Sequence, residues 1–303
     1  MSGKSTPNTS TLENSSSLAS TESFQAKDMI LGDIKIHYLE QGQGPLIILL
    51  HGFPEFSGIW NPYFAHLSQE FQVVAPDMRG YNLSSQPEPI SDYQIEILMT
   101  DIVNLVKALG HQRAFLVGHD WGGLLSWYLA AHHPETFSKV TIINAPHPKI
   151  YSNLYKTDEE QMTKAAYVGF LQSPEAEQSL SENNFQKLRA SVFNTSKHKR
   201  TAAEEQAYVD AWRRGLKGSI NYYRAYIPRQ EKLAAELPLI TIPIQLLWGE
   251  NDHALSLKNT EGLNAYVHDM RITRYPDASH WITDEKVAEL SHKILEFCRS
   301  SAR

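Results

Sequence analysis

The chain has 303 residues, room for one large domain or two small ones around a sizeable buried core. Its 42% apolar and 20% charged composition is that of a soluble globular protein, and a formal net charge of −6 with no basic cluster argues against nucleic acid as a partner. Cys298 is the only cysteine, which excludes an intrachain disulfide and a cysteine-ligated zinc site and fits a reducing compartment.

Residues 1–23 are rich in Ser, Thr and Asn and nearly free of apolar side chains, so they are expected to form a disordered tail. The stretch lacks the continuous apolar run of a signal peptide and is short of arginine for a transit peptide. No segment has the apolar length of a membrane span, and the expected location is cytoplasmic.

The stretch "FQAKDMILGDIKIHYLEQG" (24–42) alternates apolar and polar residues around a Gly-Asp turn, the pattern of an antiparallel hairpin. "PLIILL" (45–50) is a continuous apolar run, as expected of a strand buried on both faces. "FQVVAPD" (71–77), "RAFLVG" (113–118), "KVTIINA" (139–145) and "IPIQLLWG" (242–249) are of the same kind. Helical patterns lie between them: "IWNPYFAHLSQ", "QIEILMTDIVNLVKALG" and "GLLSWYLAAHH". The second places Ile95, Leu98, Ile102, Leu105, Val106 and Leu109 on one face and stops at Gly110. Strands alternating with helices predict a mostly parallel sheet covered on both faces.

That alternation breaks between about 147 and 230, where no strong strand pattern occurs. It returns with "IPIQLLWG", "RITRYPD" and a last helix, "EKVAELSHKILEFCR". The expected organisation is a core of residues 24–146 and 231–303 with a helical cap, 147–230, over the carboxyl ends of the strands, where ligands of open α/β sheets bind.

"FLVGHDWGG" (115–123) runs from an apolar strand into a helix through a Gly-framed turn. Asp120 there reads in two ways: a nucleophile at a tight strand-to-helix elbow, or an ordinary aspartate N-cap. Its partners separate the readings. Asp120, then Asp252 in "GENDHAL", then His280 in "PDASHWITD" follow the nucleophile, acid, histidine order of α/β-hydrolases. Glu250 is the adjacent competitor for the acid. With thirteen histidines in the chain, order and spacing together single out His280. "HGFPEF" (51–56) directly follows a strand, where this fold takes one backbone donor for an oxyanion; the amides of Phe53 and Trp121 are the expected pair.

"HGFPE", "PDMRGYNLSS", "GHDWGG", "NAPHP", "INYYR", "LLWGEND" and "ASHW" together resemble the epoxide hydrolases of the α/β-hydrolase superfamily, over nearly all of residues 24–300. The resemblance implies the α/β-hydrolase fold, a mostly parallel eight-stranded sheet with an inserted helical cap, and the roles of Asp120, Asp252 and His280 just described. It also implies a cap tyrosine that protonates the epoxide oxygen. Tyr223 is the matching position, with Tyr222 beside it as the alternative. A second cap tyrosine is common shortly before a motif like "LQSP" (171–174); Phe170 stands there, with Tyr167 one helical turn earlier. Both are read first as packing inside the cap, and Tyr167 as an assistant to Tyr223. His147, in "NAPHP", is placed at the cap entrance, and Trp281 beside the substrate. No cofactor and no metal are implied. The expected partners are a small-molecule epoxide and water, and the chain is compatible with a homodimer.

The chemistry explains the aspartate. Serine attack on an alkyl carbon leaves an ether that water does not readily cleave, whereas carboxylate attack leaves an ester that it does. A carbon–halogen bond yields to the same two steps, so a dehalogenase is the alternative. An epoxide leaves as an alkoxide and needs a proton donor such as Tyr223; a halide does not. Haloalkane dehalogenases share Trp after the nucleophile but commonly carry Asn where this chain has Phe53. Fluoroacetate dehalogenases carry Arg where it has Trp121. Both departures favour the epoxide. Asn144 stands where some dehalogenases carry their acid, a role an amide cannot take. A non-catalytic binding protein of this fold would be expected to have lost part of the set, and here the set is complete.

Overall fold

The structure is a computed structural model that describes residues 24–300; the expected tail, residues 1–23, lies outside the described residues. Among these residues eight strands form one sheet. They are β1 (Gln25–Leu31), β2 (Ile34–Gln41), β3 (Leu46–Leu50), β4 (Gln72–Pro76), β5 (Ala114–His119), β6 (Phe137–Ile143), β7 (Ile244–Asn251) and β8 (Met270–Ser279). Their spatial order is β1-β2-β4-β3-β5-β6-β7-β8. β1–β2 and β2–β4 pair antiparallel and the rest pair parallel. The sequence pattern follows the burial. All five residues of β3 are buried, while β1, at the sheet's edge, is largely exposed.

Helices α1 (Asn61–Leu67) and α12 (Val287–Arg299) pack on each other, as do α2 (Ile95–Ala108) and α3 (Trp121–His132), so the sheet is covered in two pairs. α2 ends as its sequence predicts, with Leu109 as its cap and Gly110 turning away at φ 84°. α3 is buried almost all round, which suits a helix enclosed by the sheet beneath and other helices above. Between β6 and β7 the chain inserts α4 (Pro148–Thr157), α5 (Glu159–Lys164), α6 (Tyr167–Leu171), α7 (Ala176–Phe193), α8 (Ala202–Arg213), α9 (Lys217–Tyr226) and α10 (Gln230–Glu236). The helical run therefore continues through Glu236, and α10 packs against α4. A short α11 (Ile282–Glu285) follows β8. No helix among the described residues is long and apolar enough to cross a membrane.

The turn from β5 to α3 is the tightest point of the fold. Asp120 sits at φ 50°, ψ −117°, a conformation costing about 1–3 kcal/mol that the flanking elements must impose. They impose it by close approach. A Cβ on Gly118 would lie 2.3 Å from the Gly122 carbonyl oxygen, and one on Gly122 would lie 2.4 Å from that of Leu50. Gly118→Ala is therefore expected to lower the unfolding free energy by about 1–3 kcal/mol, read as a fall in urea midpoint at unchanged slope. Gly169→Ala, in α6 with open space around it, is expected to be neutral or stabilising by up to about 1 kcal/mol. Equal midpoints for the two variants would contradict the close-packed elbow.

Candidate active site

The strained turn presents the Asp120 side chain at the carboxyl end of β5, and the loop after β3 meets it. The Phe53 amide donates to Asp120 Oδ1 at 2.8 Å. Gly52 makes this approach possible, since a Cβ there would lie 2.4 Å from the Cβ of Asp120. Trp121, whose amide is one of the orphan donors at a helix start, is the first residue of α3.

The other oxygen, Asp120 Oδ2, lies 3.5 Å from His280 Nε2. His280 Nδ1 donates to Asp252 Oδ2 at 2.6 Å, from the loop that ends β7. Asp252 is buried and fully partnered: Asn144 Nδ2 donates to Oδ2 at 2.7 Å, and the amides of Ala254 and Leu255 donate to Oδ1 at 2.7 and 2.9 Å. Asn144 also accepts from the Gly249 amide at 2.7 Å, so it braces the acid loop rather than acting as an acid. Glu250 points elsewhere, 4.0 Å from Arg274, and is no competitor for Asp252.

Both ring nitrogens of His280 face carboxylates, Nδ1 in a hydrogen bond with Asp252 and Nε2 at ion-pair distance from Asp120, an arrangement that favours the imidazolium. Burial opposes that charge, but Asp252 and Asp120 hold the pKa well above the usual imidazole value. Burial likewise opposes the carboxylates. His280 outweighs it for Asp252, together with the Asn144 and Ala254 bonds, and brings that carboxyl to about 2. The hydrogen bond and charge of His280, with help from His119 and the Phe53 amide, keep Asp120 below its ordinary value.

A second buried pair lies behind the first and was not anticipated from the sequence. His119 Nδ1 donates to Glu55 Oε2 at 2.8 Å and Nε2 donates to the His280 carbonyl at 2.9 Å. Both partners accept, so His119 too is an imidazolium, raised by Glu55 despite its burial. Glu55 also accepts from the Gly52 amide at 2.8 Å, tying the Phe53 loop to the His280 loop. The signal lay in "HGFPE" and "GHD", each beside a residue already singled out. Gln161 of α5 was also missed. It donates to the Ala254 carbonyl at 3.1 Å and accepts from the Ser256 amide at 3.0 Å, fastening the insertion to the acid loop.

Above Asp120 two cavities meet. The larger, about 330 Å³, is bordered by Phe53, Tyr167, Phe170, Tyr223, His280 and Trp281 among others. The smaller, about 60 Å³, is bordered by Trp121, Leu124, Tyr151, Tyr226 and Leu255. Asp120, Tyr167 and Tyr223 line both. The Tyr223 ring stands edge-on to Trp121 at 4.9 Å and to Phe53 at 5.4 Å, with Tyr167 6.4 Å away. Burial, with a contribution from the Asp120 charge, pushes both phenols well above their usual range, so both keep their protons.

Tyr167 and Phe170 do not pack inside the insertion as expected. Val168 and Leu171 are the buried residues of the short α6, while Tyr167 (40% exposed) and Phe170 (38%) are open to the cavities; Val168 borders the smaller cavity, Phe170 and Leu171 the larger, and Tyr167 both. Two other expectations are corrected. Tyr222 lines neither cavity; its hydroxyl donates to the Arg79 carbonyl at 2.8 Å and its ring packs against Tyr81. His147 is buried too, stacked on Tyr266 at 4.8 Å and capping α4 through the Lys149 amide. Desolvation lowers its pKa to about 3, so it is a neutral packing residue. Trp281 borders the larger cavity, its ring edge-on to His280 at 5.0 Å and its indole N–H donating to Thr195 at 2.7 Å.

A family model described as the alpha/beta hydrolase fold matches residues 45–287. The chain belongs to the α/β hydrolase family. It is 35% identical over 274 residues to an AB hydrolase superfamily protein of Bacillus subtilis, covering 88% of this chain and 95% of the relative. It is 32% identical over 282 residues to human epoxide hydrolase 4, covering 89% and 77% respectively. Among solved structures it is similar to a Bacillus megaterium epoxide hydrolase in complex with an inhibitor, with TM-score 0.85 and 31% identity over 90% of this chain and 100% of that one.

Asp252 gives a stability prediction. Its folded pKa of about 2 lies below its ordinary 3.8, so its contribution is complete above the unfolded value and is lost as pH falls through the folded one. The difference in unfolding free energy between wild type and Asp252→Asn, from urea titrations, is expected to shrink by roughly 2 kcal/mol between about pH 5 and pH 2. A difference independent of pH would contradict a charged Asp252.

Proposed function

We propose that this chain is an epoxide hydrolase that opens its substrate through an ester on Asp120. The observation that carries the reading is the placing of Asp120, Oδ1 on the Phe53 amide and Oδ2 toward His280, beneath two protonated phenols at the junction of two cavities. The relatives named epoxide hydrolases support the same substrate class. Residues 24–146 and 231–303 form the core in this reading, and residues 147–230 act as the cap that brings Tyr167 and Tyr223 to the nucleophile.

In the first step Asp120 Oδ2 attacks an epoxide carbon, the strained C–O bond breaks, and a phenol proton passes to the leaving oxygen. Tyr223 is the principal donor and Tyr167 its assistant. A tyrosine too weakly acidic to ionise at rest still protonates an alkoxide, which is far more basic. In the second step water attacks the ester carbonyl, and His280 Nε2 takes its proton. The amides of Phe53 and Trp121 hold the oxyanion, the acyl C–O bond breaks, the departing alkoxide takes a proton from the His280 imidazolium, the new Asp120 carboxyl returns one to His280, and the diol leaves.

The electrostatics order these steps. While Asp120 is anionic, His280 is held as an imidazolium and is no base. Esterification removes the Asp120 charge and its hydrogen-bond acceptor, two of the influences that raise the His280 pKa. The imidazole then gives its extra proton to the phenolate left by the first step, and is a free base as the ester that needs one is formed.

Two outcomes test the reading. His280→Gln is expected to alkylate and stall, so intact-protein mass spectrometry after incubation with styrene oxide should find one substrate mass added at Asp120; continued turnover without an adduct would contradict the base. Tyr223→Phe is expected to slow alkylation by about 100- to 10,000-fold if it donates alone, and by less if Tyr167 shares the task. Stopped-flow tryptophan quenching on Tyr223→Phe, Tyr167→Phe and the double variant apportions the two, and a double variant as fast as wild type would remove the tyrosines from the chemistry.

A further inference from the structure

The wall of the larger cavity is apolar over most of its extent, with Phe170, Leu171, Leu180, Leu188 and Trp281. Lys187 is the exception, the only lysine or arginine lining it among the described residues. His253 also lines it, but burial and the neighbouring His280 charge lower its pKa and keep it neutral.

Lys187 follows a break in α7, where Asn183, Asn184 and Phe185 take positive φ. The break folds the second half of the helix back so that the Lys187 ammonium donates to Ser179 Oγ on the first half and lies 5.7 Å over the Phe170 ring. A hydroxyl and a ring face orient the ammonium without cancelling its charge. Other cations of the insertion are paired: Arg189 with Glu205 at 2.7 Å, Arg224 with Glu177 at 2.6 Å and Lys164 with Glu160 at 3.6 Å. No carboxylate lies within ion-pair distance of Lys187 among the described residues.

Asp120, Tyr167 and Tyr223 divide this cavity from the smaller, apolar one. An epoxide reacting at Asp120 thus extends a short apolar substituent to one side and a longer arm along the wall that carries Lys187. We propose that Lys187 is a specificity-determining residue that selects epoxides whose long arm ends in an anionic group, a carboxylate for example, over neutral epoxides of the same shape. The inference rests on the epoxide hydrolase reading above.

The contact is remote from the reacting carbon and persists unchanged from bound substrate to transition state, so it acts on KM and leaves kcat alone. Lys187 is exposed, so an ion pair there supplies at most about two- to fivefold, and added salt reduces it.

The test uses the full chain and a series of glycidyl ethers of hydroxyalkanoates of increasing length, each beside its methyl ester. The expected result is a kcat/KM ratio of acid to ester that peaks at one chain length at about two- to fivefold, carried by KM and diminished by salt. Lys187→Met is expected to bring that ratio to one, Lys187→Arg to retain it, and Lys187→Glu to turn it below one. A wild-type ratio of one at every length, or a ratio that survives Lys187→Met, overturns the inference while leaving the epoxide hydrolase reading intact. Absence of turnover of every acid and every ester overturns that reading, and the inference falls with it.

Discussion

One imidazole held between a buried carboxylate, Asp252, and a half-buried one, Asp120, is the constraint from which the rest of this site follows. Asp120 and Asp252 each meet one ring nitrogen of His280, and Glu55 holds His119 directly behind it. Three carboxylates and two imidazoliums thus share a water-poor volume with one negative charge in excess. Burial penalises each of these groups, and each is kept charged only by its neighbours. That balance makes the nucleophile's charge a control on its neighbour. In the proposed reaction, removing it by ester formation would leave the remaining four groups neutral overall and the imidazole free to part with a proton.

Holding such a cluster requires backbone that cannot relax. The elbow supplies it through glycines whose carbonyl neighbours leave no space for a side chain, and through β3, β5 and β6, bonded side by side with their residues buried. The carboxylates are then completed by main-chain donors: Phe53 for Asp120, Ala254 and Leu255 for Asp252, Gly52 for Glu55. Amides fixed by secondary structure need no reorganisation when charge moves, which is what an oxyanion site demands. The insertion is coupled to this frame through Gln161 and the acid loop, and through Trp281 and Thr195.

Much of this was legible in the sequence because its signals are local. Continuous apolar runs marked the buried strands, and the Gly-framed turn marked Asp120. The order of Asp120, Asp252 and His280 carried the triad's geometry although the three are far apart in the chain. The side-chain facing of the insertion was harder to read. Tyr222 and Tyr223 are adjacent on α9, and a helix turns adjacent side chains about 100° apart, so only packing tells which one meets Asp120. Which side chains of α6 are buried, Val168 and Leu171, and which are exposed, Tyr167 and Phe170, is again a matter of phase. His147 resembled an entrance residue because its motif was familiar, yet Tyr266, distant in sequence, covers it. Glu55 and His119 went unnoticed because their partnership spans 64 positions and neither alone signals an ion pair.

The central claim is that Asp120 itself becomes an ester and is restored by water. A single turnover in heavy-oxygen water with enzyme in excess over epoxide, followed by peptide mass spectrometry, tests it most directly. One heavy oxygen is expected in the peptide containing Asp120, with none in the diol of that turnover. Heavy oxygen in the first-turnover diol, and none in the peptide, would mean that water attacks the epoxide directly and that Asp120 never forms the bond.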